Sequence, residues 1–299
     1  MQDLFELSVG AASAGCIYGL MALSYLLVLR PSGIINFAVG EWAALAAFTG
    51  YLTLTAAELP YPVGAAAALA VAVAAGLLTE RIAVRPLVER GAPLLAPILA
   101  LLGMLVVFRE ALSLSFGPDP LPVPPAAGFG RLVLGSVAGV SFGGPRQSFF
   151  VIAISLTVFA GVWLFFERTV AGKCFEAVAI DRRAAALVGI NLRRVATLAF
   201  GASAGVAGLA GLLIAPSVSA HYLMGIPLAI QGFTALVVGG VGRVEGALLG
   251  GLVLAFAEQL TARYAPLPAG FAQGVPLILL ILFLLLRPTG LLRAREARD

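Results

Sequence analysis

Nine stretches of the sequence are apolar over nearly the whole length that an α-helix needs to cross a bilayer, about 20 residues. Soluble domains carry about 25% charged residues, whereas this chain is 61% hydrophobic and 11% charged. A soluble core has no room for so much apolar surface. The sequence therefore predicts one all-α, polytopic transmembrane helical bundle over residues 1–299, with about eight or nine spans. The predicted spans lie near 7–29, 33–54, 62–82, 94–115, 148–167, 194–214, 227–242, 246–263 and 271–287.

Two features qualify this list of spans. Spans 227–242 and 246–263 are short and rich in glycine, so we expect that either one is re-entrant or broken. The first residues carry Asp3 and Glu6, whereas a signal peptide begins with a positive region. The first apolar run is therefore interpreted as a retained transmembrane helix.

The distribution of basic residues predicts the orientation of the bundle. If the N-terminus lies outside, only four of the 19 lysine and arginine residues fall on the outer side: Arg109, Arg131, Arg146 and Arg263. Because cytoplasmic connections are enriched in these residues, the N-terminus is predicted outside and the C-terminus inside. The basic loop at about 168–194 is then cytoplasmic. The outer loop then runs over about 116–147, and its proline-rich segment 116–130 is predicted to be extended and to lie over the outer mouth.

Three predicted cytoplasmic exits share an arginine followed by a proline: Arg30-Pro31, Arg85-Pro86 and Arg287-Pro288. Proline is expected to stop each helix, and arginine to anchor it among the lipid headgroups. Spans 1–3 and 7–9 run in the same directions in this topology. A parallel internal duplication is therefore possible, although the direct residue similarity is weak.

The sequence carries no pattern for catalysis or for metal binding by this chain. A Walker A motif requires lysine followed by serine or threonine, but the single lysine, Lys173, precedes Cys174. Cys16 and Cys174 are far apart and form neither a disulfide framework nor a metal-ligand spacing. His221 is the only histidine, so it cannot build a metal site or a catalytic triad alone. A membrane enzyme is disfavoured, because no cluster of such residues is visible.

Acidic residues that lie more than two positions from the ends of the predicted spans are few: Glu41, Glu110 and Glu258. Carriers that are coupled to protons usually need buried ionisable relays. We favour packing or interfacial roles for the three acids, which argues against a stand-alone secondary transporter. Arg109 and Glu110 are adjacent in sequence, so their side chains are expected on different helix faces near the outer end.

The segment "GKCFEAVAIDRRAAALVGINLRRV" interrupts the apolar spans with charge. Alanine, leucine and arginine favour helix, while Gly189 and Asn191 are typical of a helix stop. The sequence predicts one short helix over 176–188 on the cytoplasmic face. It is either an amphipathic interfacial helix or a docking helix for a soluble partner.

Several motifs in order resemble the integral-membrane permease subunits of bacterial branched-chain amino acid ABC importers, of the H type of the Liv system. The resemblance covers nearly the whole chain. Its best matches are "IYGLMALSYLLVLRPSGIINFAVGE" (17–41), "ERIAVRPL" (80–87), the charged segment through "LVGIN" (187–191), "GGVGRVEGALLGG" (239–251) and "RPTGLL" (287–292).

The resemblance implies a heteromeric importer in the bacterial inner membrane. This chain would pair with a second permease subunit as a heterodimer, with two cytoplasmic ATPases, and with a periplasmic or lipid-anchored substrate-binding protein. The ATPases would use ATP and Mg, this chain would bind no cofactor, and no nucleic acid would be involved. The implied coupling positions for the ATPase are Gly172, Glu176, Ala177, Asp181, Ala185, Leu187, Gly189, Ile190 and Asn191.

The chain departs from the family pattern at Val39, where histidine is usual, and at Arg243 and Glu245 in the glycine-rich turn. These departures leave open whether the cargo is a branched-chain amino acid, a related amino acid, urea, a short amide or another small polar solute. The turn at 239–246 is expected to be tight and cytoplasmic. Candidate pathway or helix-packing residues are Asn36, Phe37, Gly40, Glu41, Gly239, Gly240, Gly242 and Gly246.

Overall fold

The computed structural model describes residues 2–137, 140–264, 274–286 and 290–292. Within these residues the chain is almost entirely helical, with one small antiparallel hairpin. The helices are α1 (Gln2–Ser32), α2 (Val39–Gly50), α3 (Tyr61–Thr79), α4 (Arg85–Glu89), α5 (Leu95–Phe116), α6 (Arg146–Arg168), α7 (Val170–Ile180), α8 (Arg182–Leu187), α9 (Leu192–Val218), α10 (Gly225–Gly239), α11 (Val244–Tyr264) and α12 (Val275–Leu286). The hairpin strands are β1 (Arg131–Val137) and β2 (Val140–Pro145).

The prediction of a polytopic helical bundle is confirmed. Six helical stretches among the described residues are long and apolar enough to cross a membrane, and α10 and α12 are shorter apolar helices. At 15 residues, α10 is short, as expected. The expectation of a re-entrant or broken helix at 246–263 is wrong, because α11 is a regular helix of 21 residues.

The helix that is interrupted is the second one, which the sequence did not predict. Span 33–54 was expected to be continuous, but residues 33–38 are not helical and α2 begins only at Val39. Side chains account for the break, because Asn36 Oδ1 accepts the Ala38 N–H at 3.0 Å and Ser32 Oγ accepts the Ile34 N–H at 3.1 Å. Such local bonds offer the backbone an alternative to the helix. A π-helical turn, Tyr51–Ala56, then continues α2.

The Arg-Pro exits behave differently from one another. At the first exit α1 ends at Ser32, directly after Pro31, and the Arg30 guanidinium lies 5.1 Å from the centre of the Phe166 ring. At the second exit the expected stop is wrong, because Pro86 lies in the first turn of α4, where a missing N–H costs little. The third exit, Arg287-Pro288, lies outside the described residues.

A second π-helical turn, Glu80–Val84, joins α3 to α4. The wider winding of a π-helix hydrogen-bonds residues five apart, and here it brings Glu80 and Arg85 together. Arg85 donates to both Glu80 oxygens at 3.0 and 2.6 Å and also donates to Thr197 on α9 at 3.0 Å. The turn therefore fastens α4 to α9.

The helices α1–α3 and α9–α11 pack in one pattern with inverted chain direction. α1 packs antiparallel to α11, and α9 packs antiparallel to α3. α1 runs parallel to α10, and α9 runs parallel to α2. α2 packs against α3 as α10 packs against α11, and α2 also contacts α10. This is the arrangement of an inverted repeat. It takes the place of the parallel duplication that the sequence had left open.

Side-chain contacts between α1–α3 and α9–α11 follow the same inverted relation. Ser24 Oγ donates to the Ser203 carbonyl, and Ser203 Oγ donates to the Ser24 carbonyl, both at 2.8 Å. Two edge-to-face aromatic pairs, with ring centroids 5.9 and 6.1 Å apart, join α1 to α10 and α9 to α2: Tyr25–Phe233 and Trp42–Phe200. Polar and aromatic contacts thus fix α1 and α9 at the centre of the bundle.

The two short helices meet at their N-termini. An added Cβ at Gly40, in the first turn of α2, would overlap the carbonyl of Gly225, where α10 begins. At 1.5 Å per residue α10 is about 22 Å long, less than the about 30 Å of a hydrocarbon core. Gly40 and Gly225 are both buried, so the two helix starts lie inside the bundle.

The loop at 116–147 packs across one end of the bundle. Thr55 Oγ1 donates to the Pro122 carbonyl at 3.1 Å, and Leu121 pairs with Ala220 as an isolated bridge. Arg131 at the start of β1 forms an ion pair with Glu6 of α1. The proline-rich segment is non-helical after Phe116, and the hairpin follows it in the same loop.

A glycine on α9 provides a test of this packing. An added Cβ at Gly211 would overlap the Ala43 carbonyl on α2, whereas one at Gly103 on α5 meets nothing within 4 Å. We expect Gly211→Ala to destabilise the bundle by about 1–3 kcal/mol and Gly103→Ala to be neutral or stabilising. Thermal unfolding of the purified variants in detergent measures the difference. Equal stability of the two variants would contradict the contact between α2 and α9.

Candidate functional site

The junction of α2 and α10 encloses an acidic side chain that has no partner. Glu41, in the first turn of α2, is fully buried. Neither of its carboxylate oxygens has a hydrogen-bond partner among the described residues. The backbone of Gly225 lies directly beside the carboxylate. The structure therefore places Glu41 at the junction itself, which is a more specific position than the packing role expected from the sequence.

Neither helix start is capped by a side chain. Ala38 precedes α2 and Met224 precedes α10, and neither forms a side-chain cap hydrogen bond. The first N–H groups of a helix have no partner within the helix, and a helix N-terminus carries about half a positive charge. Two positive helix ends and one carboxylate thus meet at the same buried place.

Three further polar atoms near these helices are buried without a hydrogen-bond partner among the described residues. They are Asn36 Nδ2, Trp42 Nε1 and, on α10, Thr234 Oγ1. Asn36 is 1% exposed, as predicted for an amide that faces the bundle interior. Since such atoms are rare in native structures and call for an explanation, this part of the bundle is a candidate site.

The eight candidate pathway residues do not form one cluster. Phe37 is half-buried, and Asn36, Gly40 and Glu41 are buried around the start of α2. The four glycines lie at the opposite end of α10, about 21 Å away for a helix of this length. There Gly239 and Gly246 bring the backbones of α10 and α11 into contact, a packing role.

The glycine-rich connection between α10 and α11 is a tight turn, as predicted. Gly240 and Gly242 have φ of 102° and 121°, which favour glycine. Residues 290–292 close this end, because Leu291 and Leu292 donate to the carbonyls of Val238 and Gly239 at 2.8 and 3.1 Å. The carbonyl groups at the end of α10 are thereby satisfied.

The structure explains how the chain accommodates its three departures from the family pattern. Arg243 and Glu245 form an ion pair with each other, at 3.5 Å between Nε and Oε2. Val39 is the first residue of α2 and is fully buried. The two charged replacements thus compensate each other, and the third is an apolar core residue.

The remaining intramembrane acids are paired. Glu258 on α11 accepts a hydrogen bond from Tyr18 at 2.8 Å. The prediction that Arg109 and Glu110 point apart is wrong, because the flexible Arg109 side chain reaches back and donates to Glu110 Oε1 at 3.1 and 3.2 Å. Glu41 is therefore the acid among these three that has no partner in the described residues.

The charged segment at 168–194 forms two helices, so the predicted single helix over 176–188 is wrong. Asp181 adopts an extended conformation between α7 and α8. Its carboxylate accepts the N–H groups of Arg183 at 2.7 Å and Ala184 at 3.1 Å, which makes it the N-cap of α8. These backbone donors, Ala184 first, hold the pKa of the Asp181 carboxyl below its ordinary value.

The coupling positions implied by the family resemblance have mixed environments. Gly172 packs against the backbone of α6, and Glu176 pairs with Lys173 at 3.0 Å. Ala185 is buried, and Gly189 ends the segment with φ of 88°, as the predicted helix stop requires. The Ala177 carbonyl accepts the Asp181 N–H, and the Ile190 N–H donates to the Ala185 carbonyl. Leu187 is exposed, and Asn191 caps α9.

Apolar side chains on this segment point into solvent. Ile180, Leu187 and Val188 are 78%, 89% and 77% exposed. The same segment lines a cavity of about 490 Å³ through Arg182 and Asn191. Its lining residues include Ser32, Glu80, Arg85, Arg182, Asn191 and Arg193. Exposed apolar residues on a segment that also lines a cavity are typical of a surface that binds another molecule.

Sequence reasoning missed two elements of these sites. Gly225 was assigned to the connection before the seventh span, although the proline two residues later is a signal for a helix start. The break at Asp181 was also missed, although an acidic residue before "RRAAAL" is a typical N-cap. In both cases the signal was local and lay inside an otherwise plausible assignment.

The bundle with two short helices that meet inside it defines a polytopic membrane protein of the transporter type. Residues 8–284 match the model of the family described as branched-chain amino acid transport system / permease component. The chain belongs to this family.

Individual relatives support this assignment over nearly the full length. The chain is 30% identical to the high-affinity branched-chain amino acid transport system permease protein LivH of Salmonella typhimurium, over 99% of this chain and 96% of the relative. It is 32% identical to the corresponding permease protein BraD of Pseudomonas aeruginosa, over 96% and 95%. The ribose import permease protein RbsC of Escherichia coli is 28% identical over 80% and 73%.

A solved structure supports the fold. PsaBC from Streptococcus pneumoniae in complex with Fab is similar with a TM-score of 0.51 and 12% identity, over 97% of this chain and 93% of that chain. At this identity the similarity concerns the helical architecture alone.

The cap at Asp181 is testable because asparagine retains an acceptor and alanine does not. We expect Asp181→Ala to increase amide hydrogen exchange in α8, and Asp181→Asn to keep most of the protection. Since the folded pKa lies below the unfolded one, the charged cap stabilises α8 above the unfolded pKa and is lost as pH falls through the folded pKa. Exchange followed by mass spectrometry measures both effects; identical protection in the two variants would contradict the cap.

Proposed function

We propose that the chain is a permease subunit of an ATP-driven importer for branched-chain or closely related amino acids. The observation that carries this proposal is the family match over residues 8–284, together with full-length relatives that are named for this transport. The bundle supports it with six helical stretches, among the described residues, that are long enough to cross a membrane. Transport is then the work of the assembled complex, and the chain itself has no catalytic role.

The partners follow from the same proposal. A second permease subunit completes a heterodimer, two cytoplasmic ATPases use ATP and Mg, and a periplasmic or lipid-anchored protein delivers the substrate. The complex resides in the bacterial inner membrane, with the N-terminus of this chain outside and its C-terminus in the cytoplasm. Four arginines support this orientation, because they gather at one end of the bundle: Arg30, Arg85, Arg182 and Arg193.

The segment α7–α8 docks on an ATPase in this proposal. Three observations support docking over simple adsorption to the membrane: the apolar residues exposed beyond Asp181, the adjacent cavity, and a direct link to the spans. The link is made by Arg182, whose guanidinium donates to the Ser32 carbonyl at the end of α1 at 3.2 Å. A displacement of α8 is thus transmitted to the connection that leads into α2.

Uptake by the reconstituted complex tests the proposed function. The chain is co-expressed with the permease, ATPase and binding-protein genes that neighbour its own, and the purified complex is placed in proteoliposomes. We expect uptake of labelled leucine, isoleucine or valine that requires ATP inside and the binding protein outside. Uptake of ribose, urea or a short amide instead would replace the proposed substrate, and uptake driven by an ion gradient without ATP would overturn the proposal.

Thiol labelling tests the orientation. Cys174 on α7 is partly exposed and Cys16 within α1 is buried. We expect a membrane-impermeant maleimide to label the chain in inside-out vesicles and not in intact spheroplasts, with Cys174→Ser as the unlabelled control. Labelling of Cys174 in intact spheroplasts would reverse the orientation.

Leu187 tests the docking surface. Because its side chain is 89% exposed, Leu187→Asp leaves the fold of the permease intact and places a charge where an apolar contact is proposed. We expect at least about a tenfold loss of ATPase association, since a buried unpaired charge is costly. Arg183→Ser is a matched control on the same helix, and Ala185→Pro, which removes the N–H bond from Ala185 to the Asp181 carbonyl, breaks the helix. Normal association of both Leu187→Asp and Ala185→Pro would leave only the interfacial-helix interpretation.

A further inference from the structure

The unpartnered Glu41 carboxylate is the buried group that the packing of the bundle explains least. It is fully enclosed, and neither oxygen has a hydrogen-bond partner among the described residues. An ionised carboxylate in hydrocarbon costs several kcal/mol unless it is paired. A group of this kind inside membrane spans is by default a functional candidate.

Among the described residues no cation pairs with Glu41. Arg109 on α5 acts on it electrostatically, and α5 packs against α2. However, the Arg109 guanidinium is hydrogen-bonded to Glu110 at 3.1 Å. Negative charge at Glu41 is therefore only partly compensated within the described residues.

The N-termini of α2 and α10 contribute positive potential at the same junction, and no side chain caps them. In α2 the Glu41 N–H already donates to the Ala38 carbonyl at 3.1 Å, which leaves the N–H groups of Val39 and Gly40 as donors. In α10 Pro227 has no N–H, which leaves those of Gly225 and Ile226. The nearest acidic group, Glu41, does not accept them, because neither of its oxygens is hydrogen-bonded. Half-helix N-termini of this kind point at anionic substrate groups in other transporters.

One carboxylate and two uncapped helix starts are together complementary to a zwitterion. We infer that the junction of Gly40, Glu41 and Gly225 binds the charged backbone of a free amino acid, with its ammonium group on Glu41 and its carboxylate on the N–H groups that begin α2 and α10. The inference rests on the proposed function, since it names how that substrate is held.

The glycines at the junction suit this role. Gly40 and Gly225 have backbones in direct contact, so no side chain stands between the helix starts. Because Glu41 is fully enclosed, a ligand reaches it when α10 moves away from α2. Gly240 and Gly242, at the far end of α10, supply a turn that can absorb such a movement.

The chain carries its own reporter for this site. It has two tryptophans, and Trp42 directly follows Glu41 while Trp163 lies half-exposed on α6. In the Trp163→Phe variant, Trp42 is the single source of tryptophan emission. Its fluorescence in nanodiscs therefore reports on ligands at the junction without any partner subunit.

The test titrates this full-length variant with leucine, with 4-methylpentanoate, which lacks the ammonium group, and with 3-methylbutylamine, which lacks the carboxylate. We expect a saturable change with leucine and at least about tenfold weaker binding of either analogue, the size of one lost charge-assisted hydrogen bond. Adding Glu41→Gln weakens leucine binding by at least about tenfold and leaves binding of 4-methylpentanoate unchanged. Glu41→Asp, which keeps the charge, retains part of the affinity, and Glu167→Gln, at the exposed C-terminal end of α6, binds like the parent.

Three results would overturn the inference: no saturable change with leucine up to its solubility, equal binding of leucine and 4-methylpentanoate, or leucine binding that Glu41→Gln does not alter. Thermal unfolding of each variant separates a misfolded protein from one that has lost the site, and Glu41→Asp keeps the test valid if Glu41→Gln unfolds. Uptake by the reconstituted complex is independent of these results. If the complex imports leucine but the junction does not bind it, the inference is wrong and the proposed function stands.

Discussion

The need to satisfy backbone groups inside a bilayer determines most of this architecture. Helices that begin or end within the hydrocarbon expose N–H or C=O groups, which is tolerated only where protein or a polar cavity surrounds them. The described residues contain two such starts, at Val39 and Gly225, and the fold buries both at one junction. The long helices α1 and α9 flank this junction and keep it away from lipid, with the reciprocal Ser24–Ser203 hydrogen bonds between them.

The rest of the bundle follows from that central pair of half-helices. The inverted relation between α1–α3 and α9–α11 gives each half-helix one parallel and one antiparallel neighbour. At one end the hairpin and the proline-rich segment pack over the spans, and at the other the segment α7–α8 is tied to the end of α1 through Arg182. A movement of that segment is thereby connected to the junction through residues 33–38. This connection is the physical basis for coupling in the proposed importer.

The helical class, the tight turn at 239–246 and the burial of Asn36 could be predicted from composition, glycine patterns and the cost of an unpaired amide. The break before α2 could not, because it depends on side-chain hydrogen bonds of Ser32 and Asn36 that compete with a plausible helix. The pairing of Arg109 with Glu110 depends on side-chain flexibility that helical spacing does not show. The meeting of Gly40 with Gly225 is a contact over a long sequence separation, which no local pattern in one sequence encodes.

The central claim is that two half-helices meet start to start inside the bundle around Glu41. A cryo-electron microscopy map of the complex in lipid nanodiscs tests it most directly. The account predicts a non-helical segment at 33–38, α2 starting at Val39, and the backbone of Gly40 against that of Gly225 with Glu41 enclosed between them. A continuous helix over 33–54, with Glu41 facing lipid or α10 separated from α2 by another helix, would contradict it.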